Sequence, residues 1–265
     1  MTDPYFDLPG LSASALKHGA TSMLAMRHYI DNPPDQTPAM RFGSLIHQFV
    51  LEPETVPDTV VTWADPKRGK AWVAFQEDNQ DRTVVTADEF TTLIEINRAV
   101  NDNKTARDLL IKTEHEVVCQ WQDSACGASK AKVDGLSPDL LVELKTTKTS
   151  LGQFLKTAFN MNYHIQLGWY WHGATLRYEK KHVPTYVIAV EQKPPHDVAV
   201  YRVPEPILKD GYAQAKEIAC RYRIACQLEN WPGIAEDEVL EYSLPSWATA
   251  GESTELIIGG EKVEV

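Results

Sequence analysis

No apolar run in this chain approaches the roughly 18 residues that a membrane-spanning helix needs, so no membrane partner is expected. The four cysteines, at 119, 126, 220 and 226, contain no C-x-x-C pair and suggest no disulfide framework. They read as small buried hydrophobes in a reduced, cytoplasmic protein. The opening "MTDPYFDLPG" has neither a basic stretch nor an apolar one, so it does not read as a signal peptide. There is no internal repeat and no low-complexity linker. Positive charge is also scarce, with 26 Lys and Arg against 37 Asp and Glu among 265 residues, a net charge of −11.

That balance argues at first against a nucleic-acid partner, because phosphate binding needs Lys and Arg. Its distribution changes the argument. Residues 229–265 hold nine acids and one Lys, whereas 129–156 hold five Lys (130, 132, 145, 148 and 156) against three acids. The acidity is mostly a property of the C-terminal end and need not surround a site.

The periodicity predicts helices over 12–30, with Ser12 as N-cap, and over 39–51, where Phe42, Leu45, Ile46, Phe49 and Val50 fall at helical spacing. Further helices are predicted from the basic loop "WADPKRGKAW" (63–72) to about 80, and over 87–101 and 104–112. Strand character follows at 115–121, 129–136 and 140–147, then helices at 150–159 and 162–175, strands at 183–192 and 197–203, and a helix at 205–229. This order predicts an α/β (α+β) fold with a central mixed β-sheet flanked by helices. We expect a single domain over 1–265. It comprises a mainly helical N-terminal part (1–112), a sheet core (113–229) and an acidic, strand-poor tail (230–265).

The chemistry concentrates in "VDGLSPDLLVELKTTK" (133–148). If Pro138 and Asp139 form the centre of a type I turn, residue numbers on the two strands sum to 277. Asp134 then faces Glu143, and Lys132 faces Lys145. Opposed carboxylates with Cβ atoms about 5 Å apart repel unless a positive group lies between them. Glu143 and Lys145 share a face of a strand whose other residues, Leu141, Val142 and Leu144, are apolar. Two explanations stand: a buried Lys–carboxylate pair, or a divalent cation such as Mg²⁺ held by hard oxygen ligands. Tyr163, Gln166 and Tyr170 share one helix face, and His47 interrupts an apolar helix. Each is unremarkable alone, as amphipathic decoration or as a core histidine, but together they suggest one site.

These pieces, in this order, resemble the PD-(D/E)-x-K nuclease superfamily, of the RecE and phage lambda exonuclease type, with kinship to the RecB nuclease domain. The likeness runs through "LSASALK" (11–17), "RFGSLIHQFV" (41–50), "ADPKRGKAW" (64–72), "KVDGL…VELKTT" (132–147) and "YHIQLGWYWHGA" (163–174). It implies a restriction-endonuclease-like core in a bacterial or phage-encoded protein. Asp134, Glu143, His47 and the Leu144 carbonyl would hold metal, Mg²⁺ with Mn²⁺ as substitute, two ions per site. Lys145 would be the catalytic lysine, with Asp134, Glu143 and Gln166 completing the catalytic set. Ser12, Ser14, Arg41, Lys132, Tyr163 and Tyr170 would contact DNA.

The implied activity is processive 5′→3′ digestion of linear double-stranded DNA, leaving 3′ single strands. The implied partners are double-stranded DNA ends, further copies in a homo-oligomeric ring (a trimer favoured over a tetramer) and a single-strand annealing protein. No Arg precedes Ser14 where this type grips a 5′ phosphate; Arg27, Arg41 and the loop Lys67-Arg68-Gly69-Lys70 are the substitutes on offer. A RecB-like single-strand or endonucleolytic repair nuclease and a non-catalytic DNA-end-binding subunit are the alternatives. The cysteine spacing does not fit the iron–sulfur version of the former.

Overall fold

The computed structural model describes residues 4–123, 126–235 and 238–242, and the backbone of 255–258 and 261–264. Residues 1–233 form one compact unit and 234–265 another. The first unit begins with α1 (Ala13–Gly19), α2 (Met23–Asp31), α3 (Pro38–Leu51) and a single turn, α4 (Val56–Thr59). The predicted helix over 12–30 is therefore two helices. Ser12 caps the first, and Ser22, whose hydroxyl accepts from the Ala25 N–H at 3.0 Å, starts the second.

Next come β1 (Val60–Trp63), α5 (Gly69–Asp78), β2 (Thr83–Thr86), α6 (Ala87–Asp102) and α7 (Lys104–Leu110). β1 and β2 pair in parallel as a separate two-stranded sheet, which the sequence reading did not anticipate because each strand has only four residues. α6 starts with a reciprocal capping box between Thr86 and Glu89.

The central sheet contains β3 (Glu114–Asp123), β4 (Gly127–Leu136), β5 (Leu141–Thr147), β6 (Thr185–Glu191) and β7 (Val198–Val203), hydrogen-bonded in that order. All neighbours are antiparallel except β5 and β6. The parallel pair requires a crossover, supplied by α8 (Phe154–Asn160) and α9 (Tyr163–Arg177). α10 (Glu205–Leu228) follows β7. The expected mixed α/β fold is the one the chain adopts.

Two apolar clusters hold this arrangement together. One joins α1, α2, α9 and α10 to the sheet through Leu16, Met26, Val133, Ile165, Trp169 and Ala219. The other joins α3, α6 and α7 through Ile46, Phe49, Ile96, Ala106, Leu144 and Ile188. β5 contributes to both, with Leu141 in the first and Val142 and Leu144 in the second, as expected for a strand buried on both faces.

In the second unit, β8 (Glu255–Ile258) and β9 (Glu261–Glu264) form an antiparallel pair; much of the expected acidic tail over 230–265 lies outside the described residues. No helix among the described residues is long and apolar enough to cross a membrane.

Candidate active site

The site begins where β4 and β5 part. Their ladder consists of two pairs, Gly135 with Val142 and Leu136 with Leu141, and the Ser137 N–H donates to the Leu140 carbonyl at 2.9 Å. Turn and register follow the sum of 277. Beyond Gly135 the ladder stops. The Leu144 N–H donates instead to Asp134 Oδ2 at 2.7 Å, while β5 continues in parallel register with β6. Lys132 consequently does not face Lys145. It pairs with Val118 of β3, and its ammonium lies 2.6 Å from Glu116 Oε2.

Glu143 anchors the second half of the site. Its Oε1 lies 2.5 Å from Lys145 Nζ and accepts from Gln166 Nε2 at 2.7 Å. Gln166 Oε1 in turn accepts from Lys145 Nζ at 3.3 Å and from Lys17 Nζ at 3.4 Å. Both ammonium groups lie by the Tyr163 ring, 4.7 Å and 5.6 Å from its centroid. Buried Glu143 Oε2 has no hydrogen-bond partner among the described residues.

α9 delivers Tyr163 and Gln166 because its start and its packing are both constrained. Asn162, at φ 53, turns the chain through the left-handed region immediately before the helix, a conformation Asn tolerates. Farther along, α9 crosses α10 with backbones nearly touching. A Cβ on Gly168 would lie 2.2 Å from the Tyr212 nitrogen, and one on Gly211 would lie 2.0 Å from the His164 carbonyl oxygen. Only glycine permits that approach.

α3 supplies His47. Leu45, Ile46, Phe49 and Val50 bury the helix, which leaves His47 Nδ1 3.3 Å from Asp134 Oδ1. Glu116 joins from β3, where it adopts φ 53 within a strand. His115 pairs with Gly135 and bonds the Leu51 and Leu110 carbonyls on the α3/α7 side. Val117 pairs with Val133, and both lie in the opposite cluster. Residues two apart on a strand normally share a face, so the alternation resets between these pairs, at Glu116 and Asp134. His47, Glu116 and Asp134 bring one ligand atom each within 4.8 Å of one another.

The electrostatics of the two acids diverge. Burial pushes Glu143 up to about 7, and the nearby Asp134 charge adds to this. Burial would also raise Asp134, but the His47 and Lys145 charges and the hydrogen bonds from His47 and Leu144 outweigh it and hold its carboxyl below the usual range. For Lys145, burial is outweighed by Glu143 and Asp134, which raise its pKa and keep it an ammonium. Lys17 has no such carboxylate contact; burial, followed by repulsion from Lys145, lowers it to about 8. Glu116 is raised by burial, with Lys132 partly offsetting the rise.

Of the remaining candidate residues, Tyr170 is buried against the site, where its hydroxyl interacts with Gln166 and burial, followed by the Glu143 charge, holds its pKa well above the usual range. The others are dispersed. Leu144 lies between Asp134 and β6. The Ser12 hydroxyl caps α1 by accepting from the Ala15 N–H at 3.4 Å, while Ser14 is exposed. Arg41 binds Glu89 at 2.9 Å. Of the five lysines in 129–156, Lys132 and Lys145 are ion-paired and Lys130 donates to the carbonyls of Tyr5, Phe6 and Leu8 at 3.1, 3.1 and 2.6 Å. Only Lys148 and Lys156 remain exposed as positive surface. Lys17 and Glu116 were missed by the sequence reading, although Lys17 closes the "LSASALK" stretch.

The donor set suits a hard divalent cation. Two carboxylates, Glu116 and Asp134, and one imidazole, His47, converge, and a third carboxylate, Glu143, keeps one buried oxygen without a hydrogen-bond partner among the described residues. A divalent cation would be held there by His47, Glu116 and Asp134.

Residues 12–240 match the family described as a PDDEXK-like domain of unknown function (DUF3799). No curated protein matches the chain. A crystal structure described as a "putative exonuclease" from Eubacterium rectale aligns with a TM-score of 0.58 at 13% identity, covering 91% of this chain and 93% of that one. At that identity the likeness is one of fold, here the restriction-endonuclease-like core. Most of the chain matches the family, and its acid–acid–lysine hairpin lies within the match; the chain belongs to the PDDEXK-like domain family and with it to the PD-(D/E)-x-K superfamily.

Proposed function

We propose that this protein is a Mg²⁺-dependent exodeoxyribonuclease that digests linear duplex DNA 5′→3′ and leaves 3′ single strands for recombination by strand annealing. The observation that carries the nuclease reading is Glu143 held between Lys145 and Gln166 with one oxygen unpartnered, beside an ionised Asp134 bonded to the Leu144 amide. The polarity, a ring of three or more subunits and an annealing partner rest on the resemblance to RecE-type enzymes.

The side chains divide the work. Asp134 and Glu143, with His47 and Glu116, would bind the cation, which supplies positive charge to the scissile phosphate and lowers the pKa of an attacking water. Lys145, fixed by two acceptors and kept protonated, orients that water and offsets developing negative charge. Its raised pKa favours this role over proton abstraction. Gln166 holds Lys145 and Glu143 in place, and Lys17 adds a second ammonium with no carboxylate contact, available to a phosphate oxygen.

The test is digestion of 5′- and 3′-labelled linear duplex in Mg²⁺, with closed circular DNA as control. The wild-type protein should release label from the 5′ end and spare the circle, and Asp134→Asn or Lys145→Ala should lose about a hundredfold or more in rate. Wild-type rates in either variant would refute the nuclease reading. Cutting of the circle would refute only its exonucleolytic form.

A further inference from the structure

The segment between β1 and β2 is not used by the site above. α5 buries none of its residues, yet with the end of β1 it assembles three large aromatic side chains. Trp63 and Phe75 have ring centroids 4.6 Å apart, Trp63 and Trp72 are 5.6 Å apart, and Trp72 and Phe75 are 6.4 Å apart. Each ring stays half-buried. A helix of this kind gains little from the main core, and packing among three rings that remain accessible is an incomplete use of their apolar surface.

Basic residues lie on the same segment, between Trp63 and Trp72. Lys67, Arg68 and Lys70 are exposed, and Lys67 Nζ lies 5.8 Å from the Trp72 ring centroid. Asp65 is the single acid between Trp63 and Gln76, in a chain whose net charge is −11. Of the cationic groups offered for phosphate contact, Arg27 is bonded to Asp31 and Arg41 to Glu89. Lys67, Arg68 and Lys70 make no ion pair among the described residues. The loop has a defined shape, since the Arg68 N–H donates to the Pro66 carbonyl at 2.7 Å and Trp63 Nε1 donates to the same oxygen at 3.4 Å.

The base of this unit is fixed to the layer that carries His47. Val60 of β1 and Val85 of β2 are buried in one cluster with Leu45, Ile46 and Phe49 of α3. Arg41 of α3 also bonds the Val84 carbonyl at 3.4 Å. The aromatic group thus projects from the same packed layer as one wall of the site.

We propose that Trp63, Trp72 and Phe75, with Lys67, Arg68 and Lys70, form a binding platform for single-stranded nucleic acid. Unpaired bases stack on the rings while the three cations hold backbone phosphates. Stacking tolerates any base, because each has a π-face, and cations beside aromatic rings are the usual complement of a single-strand groove. A duplex hides its base faces and offers such a platform only its phosphates. On the nuclease reading the platform takes the unpaired strand left by digestion, but the binding does not require cleavage.

The test is fluorescence anisotropy with a labelled oligothymidylate of about 20 nucleotides and a blunt duplex of similar length, in EDTA. Charge reversal of the exposed trio (K67E/R68E/K70E) should weaken oligothymidylate binding by roughly tenfold or more and reduce the slope of log affinity against log salt by about two. Trp72→Ala should weaken oligothymidylate binding by about tenfold while changing duplex binding by less than about twofold, and Trp72→Phe should restore it. Wild-type oligothymidylate affinity in both the charge-reversal and the Ala variant overturns the platform, as does an equal loss on duplex in Trp72→Ala. Because binding is read in EDTA, a wild-type protein that binds the oligonucleotide there but leaves the labelled linear duplex uncut in Mg²⁺ refutes the nuclease reading and leaves the platform standing.

Discussion

Lys145 Nζ lies 2.5 Å from one oxygen of Glu143, and the other oxygen of that carboxylate is buried with no hydrogen-bond partner among the described residues. The pair is therefore half-matched, with one oxygen committed to the lysine and one left for a ligand. Because burial raises Glu143 to about 7, its charge is at stake near neutrality. In metal-free protein the folded state holds this proton more tightly than the unfolded chain does. Its contribution should therefore make stability fall as pH rises from about 4.5 to about 7. Thermal melts across that range in EDTA should show the fall, and Glu143→Gln should flatten it. A cation must displace this proton, so Mn²⁺ should bind more weakly at pH 5 than at pH 8, and equal affinity at the two pH values would contradict this assignment.

Lys17 poses the opposite case. Burial and Lys145 lower it to about 8, so below that pH the folded protein carries an ammonium that the unfolded chain would accommodate better. This cost is relieved as pH rises from about 8 towards 10.5. Lys17→Met removes it and should raise Tm at pH 7 by a few degrees while slowing cleavage by roughly tenfold. Lys17→Arg should keep most of the rate. A Met variant that is both less stable and fully active would refute the role given to Lys17.

Cation binding should depend on both halves of the site. Calorimetric titration with Mn²⁺, in the absence of DNA, should show affinity reduced by roughly tenfold or more in His47→Ala and in Glu116→Gln, and lost in Asp134→Asn. Unchanged heats in Glu116→Gln would exclude this acid, leaving Asp134 and Glu143 as the carboxylate ligands.

The contact between α9 and α10 should be intolerant of a single methyl group. Gly211→Ala places a carbon about 2.0 Å from the His164 carbonyl oxygen, and Gly168→Ala one about 2.2 Å from the Tyr212 nitrogen. Each should destabilise by about 1–3 kcal/mol and, by displacing Gln166, lower the cleavage rate. Denaturant unfolding separates this from Gly152→Ala, where the nearest atom would be 3.8 Å away and little change is expected.

The hairpin was legible because its information is local. Pro138-Asp139 marks a turn, and two-residue periodicity then fixes which residues on either side meet. Gln166 was legible for the same reason, since helical spacing puts it with Tyr163 and Tyr170. Glu116 was not, because its position follows from a positive φ inside β3 and a reset of side-chain direction that no residue pattern announces. Lys17 was not, because it reaches Gln166 only once α1 has packed against α9, 149 positions along the chain. The assumption that Lys132 would face Lys145 failed because it extended the ladder past its end. The four-residue strands β1 and β2 went unread because runs that short carry almost no periodic signal.

The fork between β4 and β5 has one more consequence. The rung that would continue the sheet is made by a side chain, so the backbone at Leu144 is tied to the ionisation of Asp134. Protonating that carboxylate, or drawing Oδ2 towards a cation, loosens a peptide hydrogen bond in the middle of the domain. The Leu144 amide is thus a built-in reporter: its NMR shift and its solvent-exchange rate should follow the occupancy of the site in a protein that has no substrate bound.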